Sequence, residues 1–136
     1  MLEKVNISYQ LKIIEVMEDG FRAVFPDDKR RIKNISIVKD TKALKDHSFR
    51  KDDIVDITIE LADKQREDII ELNKVEYYIG IKEITSNGMF TKPYVEAKKY
   101  YSVLWYESRG MITSEVFEEA NRFEIGDLIK VTIRRR

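Results

Sequence analysis

Aromatic and basic side chains gather in the second half of this 136-residue chain, where they could bind nucleic acid. Six of the seven tyrosines and the only tryptophan lie between residues 77 and 106. The stretch YYSVLWY carries large side chains on both faces of an expected strand, so one set can fill a core while the other meets a partner. Rings stack on bases at about 1–3 kcal/mol per base, and cations meet phosphates. The residues assigned to this surface are Tyr100, Tyr101, Trp105, Tyr106, Lys92, Lys98, Lys99, Arg109, Arg134, Arg135 and Arg136.

A secondary basic patch lies in the first half. Its members are Lys29, Arg30, Arg31 and Lys33. If these residues contacted phosphates, the affinity for nucleic acid would fall as salt rises, although the two preceding aspartates reduce the local positive charge. Both basic runs have an alternative interpretation as solvated segments, and the aromatic set has one as residues buried between two packed halves.

Constellations for catalysis or metal binding are sparse. The chain has no cysteine, which excludes thiolate catalysis and Cys-based zinc sites, and its single histidine is His47. Adjacent acids such as Asp52 and Asp53 are expected to diverge into water, and Glu15 and Glu83 to be exposed strand residues. The five glycines are isolated, so the sequence contains no glycine-rich phosphate loop. We assign no catalytic residue, metal ligand or cofactor.

The two halves of the sequence resemble each other. One block, 7–20, matches 75–88 position by position. A second block, 49–59, matches 123–133 in the same way, at a slightly larger separation along the chain. We interpret this as duplication of a unit of about 60 residues, with chance similarity between alternating strands as the alternative.

Each half is expected to fold as three strands, a short helix and a last strand. Apolar alternation over 7–13 predicts a half-buried strand, and its shift after Ile13 predicts a bulge. Asp19-Gly20 predicts a hairpin turn with glycine at positive φ, and Asn87-Gly88 does the same in the second half. Short helices are expected at 42–48 and 115–121, where Asp40, Thr41 or Ser114 could supply the cap.

The expected fold class is all-β with one or two short helices, built from small antiparallel barrel units that are OB-like or SH3-like. The expected domains are an N-terminal barrel-like repeat at 1–61, a linker at 62–72 and an aromatic-rich C-terminal repeat at 73–136. The linker is either helical or a solvated connection. Two arrangements remain open: tandem barrels, which we favour, and one merged barrel with pseudo-twofold symmetry.

Charge composition limits the functional classes. Lys and Arg number 25 and Asp and Glu number 25, so net charge is zero, which argues against attraction of the whole protein to nucleic acid or anionic lipid. No stretch has the length of a signal peptide or membrane span, so we expect a cytoplasmic protein without membrane association.

Three functions fit these patterns. We expect a non-enzymatic module that binds single-stranded DNA or RNA through the aromatic and basic surface of the second repeat. An alternative is a protein–protein interaction adaptor, an inhibitor or a small phage or mobile-element regulator, since Tyr, Trp and Arg dominate interface hot spots. A second alternative is a small-ligand binder or enzyme that uses the cleft between the repeats.

Overall fold

A computed structural model describes residues 6–26, 35–40, 42–81, 83–85, 88–90, 102–107 and 123–136. Within these ranges, ten antiparallel strands form one sheet in the order β5-β6-β10-β4-β1-β2-β3-β9-β8-β7. Their bounds are β1 Asn6–Met17, β2 Gly20–Val24, β3 Ile35–Lys39, β4 Ile54–Leu61, β5 Ile69–Ile70, β6 Lys74–Gly80, β7 Glu83–Thr85, β8 Gly88–Phe90, β9 Ser102–Glu107 and β10 Leu128–Arg135. The chain is therefore all-β over the ranges that the structure describes, as the sequence predicts.

The core lies inside the curl of the seven strands from β5 to β3. Alternate residues of the long strands face it, as the burial of Val55, Ile57 and Ile59 in β4 shows. In β10, Val131 and Ile133 continue the same face. Each such side chain contributes about 1.5–3 kcal/mol when it is fully buried. Most of the intervening positions are polar or charged, as Asp56, Thr58 and Glu60 of β4 show, and they form the outer face of the sheet.

Strand β1 pairs with two strands, β4 and β2, and bends between the two pairings. Its residues 6–12 pair with β4, and its later residues pair with β2. The register with β2 shifts between Ile13 and Glu15, which confirms the bulge that the sequence predicts. A bulge bends a strand and increases its twist, so this one helps to curl the sheet.

The hairpin between β1 and β2 is confirmed, but the predicted role of its glycine is wrong. The two-residue turn consists of Glu18 and Asp19, and Gly20 is already paired with Met17. Gly20 does not have positive φ. A Cβ at this position would lie 2.2 Å from the carbonyl oxygen of Val38, so the close approach of β3 is what requires glycine.

The helix expected at 42–48 is absent, because this segment forms turns. The Asp40 carboxylate accepts hydrogen bonds from the backbone N–H of Lys42 at 2.9 Å and of Ala43 at 2.7 Å, as a helix cap would. The same pattern also forms an isolated Asx-type turn, so a cap alone does not propagate a helix. The described ranges contain no helix, and the one expected at 115–121 lies outside them.

Segment 62–72 is not helical either. It runs from the end of β4 to β6 and contains β5, which pairs with the start of β6. The domain boundaries on either side of it remain predictions. Strands from both halves nevertheless share one sheet, since β10 lies between β6 and β4.

The strand pairing of the first half recurs at the matched positions of the second. Tyr9 is opposite Ile57, and Tyr77 is opposite Val131. In the pairing between β4 and β10, Thr58 is opposite Thr132, which is its own counterpart in the second matched block. These matched registers give both halves the same arrangement of a first and a last strand.

The turns before the last strands recur in the same way. Asp53 Oδ2 accepts the backbone N–H of Arg50 at 2.8 Å, and Asp127 Oδ2 accepts that of Glu124 at 2.8 Å. One residue earlier the backbone has positive φ in both turns, 74° at Asp52 and 96° at Gly126. The two turns therefore share their carboxylate cap and their left-handed position.

Candidate functional site

Arg135 joins three segments at one end of the sheet. Its Nε lies 2.9 Å from Asp53 Oδ2, and its Nη1 donates to Asn73 Oδ1 at 3.1 Å. Its Nη2 donates to the carbonyl of Ser48, and the guanidinium carbon lies 5.6 Å from the centre of the Phe49 ring. The Arg135 side chain is only 20% exposed. This predicted nucleic-acid-binding residue is thus engaged inside the molecule.

The two neighbouring arginines lie differently. Arg136 Nε donates to Asp56 Oδ2 at 3.0 Å, and the Gln10 amide, with its oxygen turned toward the guanidinium, accepts at 2.7 Å. Arg134 is exposed and lies opposite Asp56 and Lys74 in the registers of β10 with β4 and β6. Both Arg134 and Arg136 are exposed, but Arg136 is paired with Asp56, whereas Arg134 has no ion pair with a described residue and is therefore the better candidate for a phosphate contact.

Trp105 and Tyr106 belong to β9, which pairs with β3 on one side and β8 on the other. Trp105 is opposite Gly88, and Tyr106 is opposite Ser36. In the sheet order, β4, β1, β2 and β3 separate this strand from β10. The aromatic positions and the C-terminal arginines thus lie on strands that do not pair with each other. The remaining predicted residues lie outside the described ranges: Tyr100, Tyr101, Lys92, Lys98, Lys99, Arg109, Lys29, Arg30, Arg31 and Lys33.

Glu76 is a nearly buried carboxylate on the outer face of the sheet. Lys130 Nζ lies 2.9 Å from its Oε1, and the Thr132 hydroxyl donates to the same oxygen at 3.4 Å. Burial acts to raise the Glu76 pKa, but the hydrogen bond and charge of Lys130 outweigh it and lower that pKa. Glu76 in turn raises the pKa of Lys130. The pair remains ionised near neutral pH and is a poor acid–base catalyst there.

A surface cavity of 380 Å³ lies beside this pair, where the end of β4 and segment 62–66 meet β6 and β10. The residues that line it are Glu60, Leu61, Ala62, Asp63, Arg66, Tyr78 and Lys130. The Arg66 guanidinium carbon lies 5.9 Å from the centre of the Tyr78 ring, and Nη1 lies 3.0 Å from Asp63 Oδ1. No local sequence pattern marks this site, because its residues come from distant segments.

Exposed apolar side chains mark the region of β5. Ile69, Ile70 and Leu72 are 39%, 59% and 70% exposed. The 42–48 loop contacts the turn that follows β5, because the Ser48 hydroxyl donates to the Leu72 carbonyl. The exposed apolar side chains of β5 and of this turn are accessible to a partner.

His47 has a structural position. Its Nε2 lies 2.9 Å from the carbonyl oxygen of Met17 and 2.8 Å from that of Gly20, and its Nδ1 accepts the backbone N–H of Phe49 at 3.1 Å. With Nδ1 accepting, the proton of a neutral imidazole is on Nε2. The ring therefore fastens the 42–50 segment to the hairpin between β1 and β2.

The other candidate groups offer little chemistry. The Tyr77 hydroxyl is buried without a hydrogen-bond partner among the described residues, and burial, followed by the charges of Asp40 and Asp68, raises its pKa well above the usual value. It remains a neutral phenol. Glu15 is exposed and lies 3.9 Å from Arg22. Within the ranges that the structure covers, no three His, Cys, Asp or Glu side chains converge to hold a metal ion.

The same part of the chain contains no helix with the length and apolarity needed to cross a membrane. Comparison of the sequence with protein-family models and curated proteins, and of the fold with solved structures, found no match.

Proposed function

We propose that this chain is a non-enzymatic binding module that holds single-stranded DNA or RNA on the second half of a duplicated β-barrel. The position of β9 carries this proposal. The strand pairs with β3 and with β8, and Trp105 and Tyr106 are adjacent in it, so these two positions alternate between the faces of the sheet. A base that stacks on one of these aromatic residues is the contact that we propose.

The recurring register supports the duplication. Pairing of β1 with β4 is equivalent to pairing of β6 with β10 when the two matched blocks are superposed, and Thr58 opposite Thr132 lies where a twofold axis would pass. β6 and β7 are two residues apart, yet β6 pairs with β10 and β7 with β8. We infer one merged pseudo-twofold barrel, closed through the continuous segment 74–85, rather than tandem barrels. The OB-like or SH3-like type and the cytoplasmic location remain predictions.

The merged barrel can be tested by a cross-link on its axis. Cysteines replacing Thr58 and Thr132 would lie on adjacent paired positions, within the Cα separation that a disulfide requires. We expect oxidation to give an intramolecular disulfide, detected by mass and by altered mobility without reductant. Failure of this pair to oxidise, while the protein remains folded, would refute the register.

Nucleic-acid binding can be tested by fluorescence anisotropy with labelled single-stranded RNA and DNA at low and physiological salt. We expect binding that weakens with salt, at about 0.7 units of log–log slope for each phosphate contact. Trp105→Ala should weaken it by about 1–3 kcal/mol, and Trp105→Phe should retain most of it. Lys51→Gln, which removes an exposed positive charge from a turn of the first half, is the control for loss of charge. Absence of binding at low salt, or full binding by folded Trp105→Ala, would overturn the proposal.

A protein partner is the second candidate function, because Ile70 and Leu72 are mostly exposed beside β5. We expect Ile70→Ser and Leu72→Ser together to abolish capture of that partner without unfolding the chain. Ile125→Ser, at an exposed apolar position in another turn, is the matched control. Equal capture by all variants would eliminate this surface.

A further inference from the structure

We propose that the cavity beside Tyr78 binds a small zwitterion of the α-amino acid class, with its carboxylate toward Lys130 and Arg66 and its ammonium toward Glu60. The cavity takes residues from both halves and from the segment between them, and its 380 Å³ lies within the range of small-molecule sites. This ligand site is separate from the aromatic strand β9, so the inference goes beyond nucleic-acid binding.

At the position of the other half that is equivalent to the cavity, a side chain of the protein fills the space. When the two matched blocks are superposed and extended, Ala62 corresponds to Arg136, Lys130 to Asp56, and Tyr78 to Gln10. There the Arg136 guanidinium is held by the Asp56 carboxylate and the Gln10 amide oxygen. The methyl side chain of Ala62 leaves the corresponding space open.

The charges around the open position are inverted relative to the filled one. Asp56 lies beside Arg134 in the register of β4 with β10, whereas Lys130 lies beside Glu60 in the same pair of strands. A carboxylate holds a cation at the filled position. At the open one, Lys130 Nζ is paired with Glu76 at 2.9 Å, and its partly exposed ammonium has further N–H donors that a ligand carboxylate could accept. Arg66 adds a second cation above Tyr78.

A ligand with both charges satisfies this lining better than a simple ion. Glu60 has no ion pair with any described residue, and cross-strand neighbours such as Glu60 and Lys130 have Cβ atoms about 5 Å apart. One α-amino acid can span that spacing with its two charged groups. The Arg66–Asp63 pair is exposed at both side chains and contributes little, so Arg66 is available to a ligand carboxylate.

The test is an NMR titration of the full chain with L-leucine, N-acetyl-L-leucine and L-leucine amide. We expect L-leucine to give saturable shifts of the Ala62 and Tyr78 backbone amides at concentrations up to about 10 mM. The two analogues, each lacking one charge, should bind at least about tenfold more weakly. The absence of saturable shifts, or equal binding of all three compounds, overturns the proposal.

Variants locate the site. Ala62→Arg should fill the cavity and abolish binding, and Glu60→Gln should weaken binding if the arginine variant fails to fold. Lys64→Gln, a change at a neighbouring exposed residue outside the lining, should bind as the parent does. Unaltered binding by folded Ala62→Arg or by Glu60→Gln would contradict the assignment. Trp105→Ala should still bind L-leucine, which separates this outcome from failure of the nucleic-acid proposal.

Discussion

Replacement of Arg135 by methionine should destabilise the protein far more than the same change at Arg134. Methionine retains an unbranched apolar side chain but loses the ion pair with Asp53 and two hydrogen bonds to Asn73 and Ser48. Hydrogen bonds that involve a charged group contribute about 1.5–3 kcal/mol each, and breaking a fully buried ion pair costs about 3–5 kcal/mol.

The exposure of the pair reduces that cost. Side chains of Arg135 and Asp53 are 20% and 22% exposed, so water can partly replace the lost partner. We therefore expect a loss of about 2–3 kcal/mol in the free energy of unfolding. With a urea m-value of about 2 kcal/mol/M, the unfolding midpoint should fall by about 1 M or slightly more.

The assay is urea unfolding of the full chain, followed by tryptophan fluorescence and circular dichroism. Arg134→Met is the matched control, because Arg134 is exposed and should cost less than about 0.5 kcal/mol. A double-mutant cycle with Asp53→Asn isolates the pair, since asparagine still offers an oxygen to the Arg50 N–H. Equal midpoints for the two arginine variants, or strict additivity in the cycle, would refute the reasoning.

Three other changes test separate parts of the structure. Because the pKa of Glu76 is lowered in the folded protein, its pair with Lys130 stabilises the fold above about pH 4.5 and loses this effect as pH falls through the folded pKa. In urea unfolding, Glu76→Gln should therefore lower the free energy of unfolding by about 1 kcal/mol near neutral pH and leave it unchanged near pH 2. Gly20→Ala should lower the melting temperature more than Gly126→Ala, because its Cβ would meet a carbonyl oxygen of β3 whereas Gly126 has open space and only a positive φ to satisfy; equal shifts would contradict this. His47→Ala should speed hydrogen exchange across 42–50 by removing its tether to the hairpin, and unchanged protection there would show that the ring is dispensable.

Local patterns predicted the strands, whereas pairings between distant segments decided the rest. Alternation identified β1, β4 and β10 because one face of each is buried, and the period of two is visible in the sequence. The Asp40 cap predicts a helix start where the structure has turns, since an Asx turn uses the same first hydrogen bonds. The sequence pattern around Gly20 predicts a turn, but glycine is required there by the close approach of β3, which no local pattern predicts.

The cavity and the Arg135 contacts likewise depend on pairings between distant segments, which no local pattern predicts. Arg135 meets Asp53, Ser48 and Asn73, all of which lie far from it along the chain. Tyr78 and Glu60 line one cavity only because β10 pairs with both of their strands. The resemblance between the two halves of the sequence is the signal that bears on these pairings, since β1 with β4 and β6 with β10 pair at the matched positions.

The arginine triplet shows why a run of charges is not one binding patch. Strand alternation puts Arg135 on the face of Ile133 and Val131, toward the core, and Arg134 on the outer face. Arg136 is occupied by Asp56, so a phosphate would have to compete for it. If nucleic acid meets this end of the sheet, Arg134→Gln should reduce the log–log salt slope by about 0.7, while Arg135→Gln should change stability and leave the slope of the folded protein unaltered. A slope that falls equally for both variants would mean that Arg135 leaves Asp53 on binding, and the internal contacts would then be a resting state rather than a fixed part of the fold.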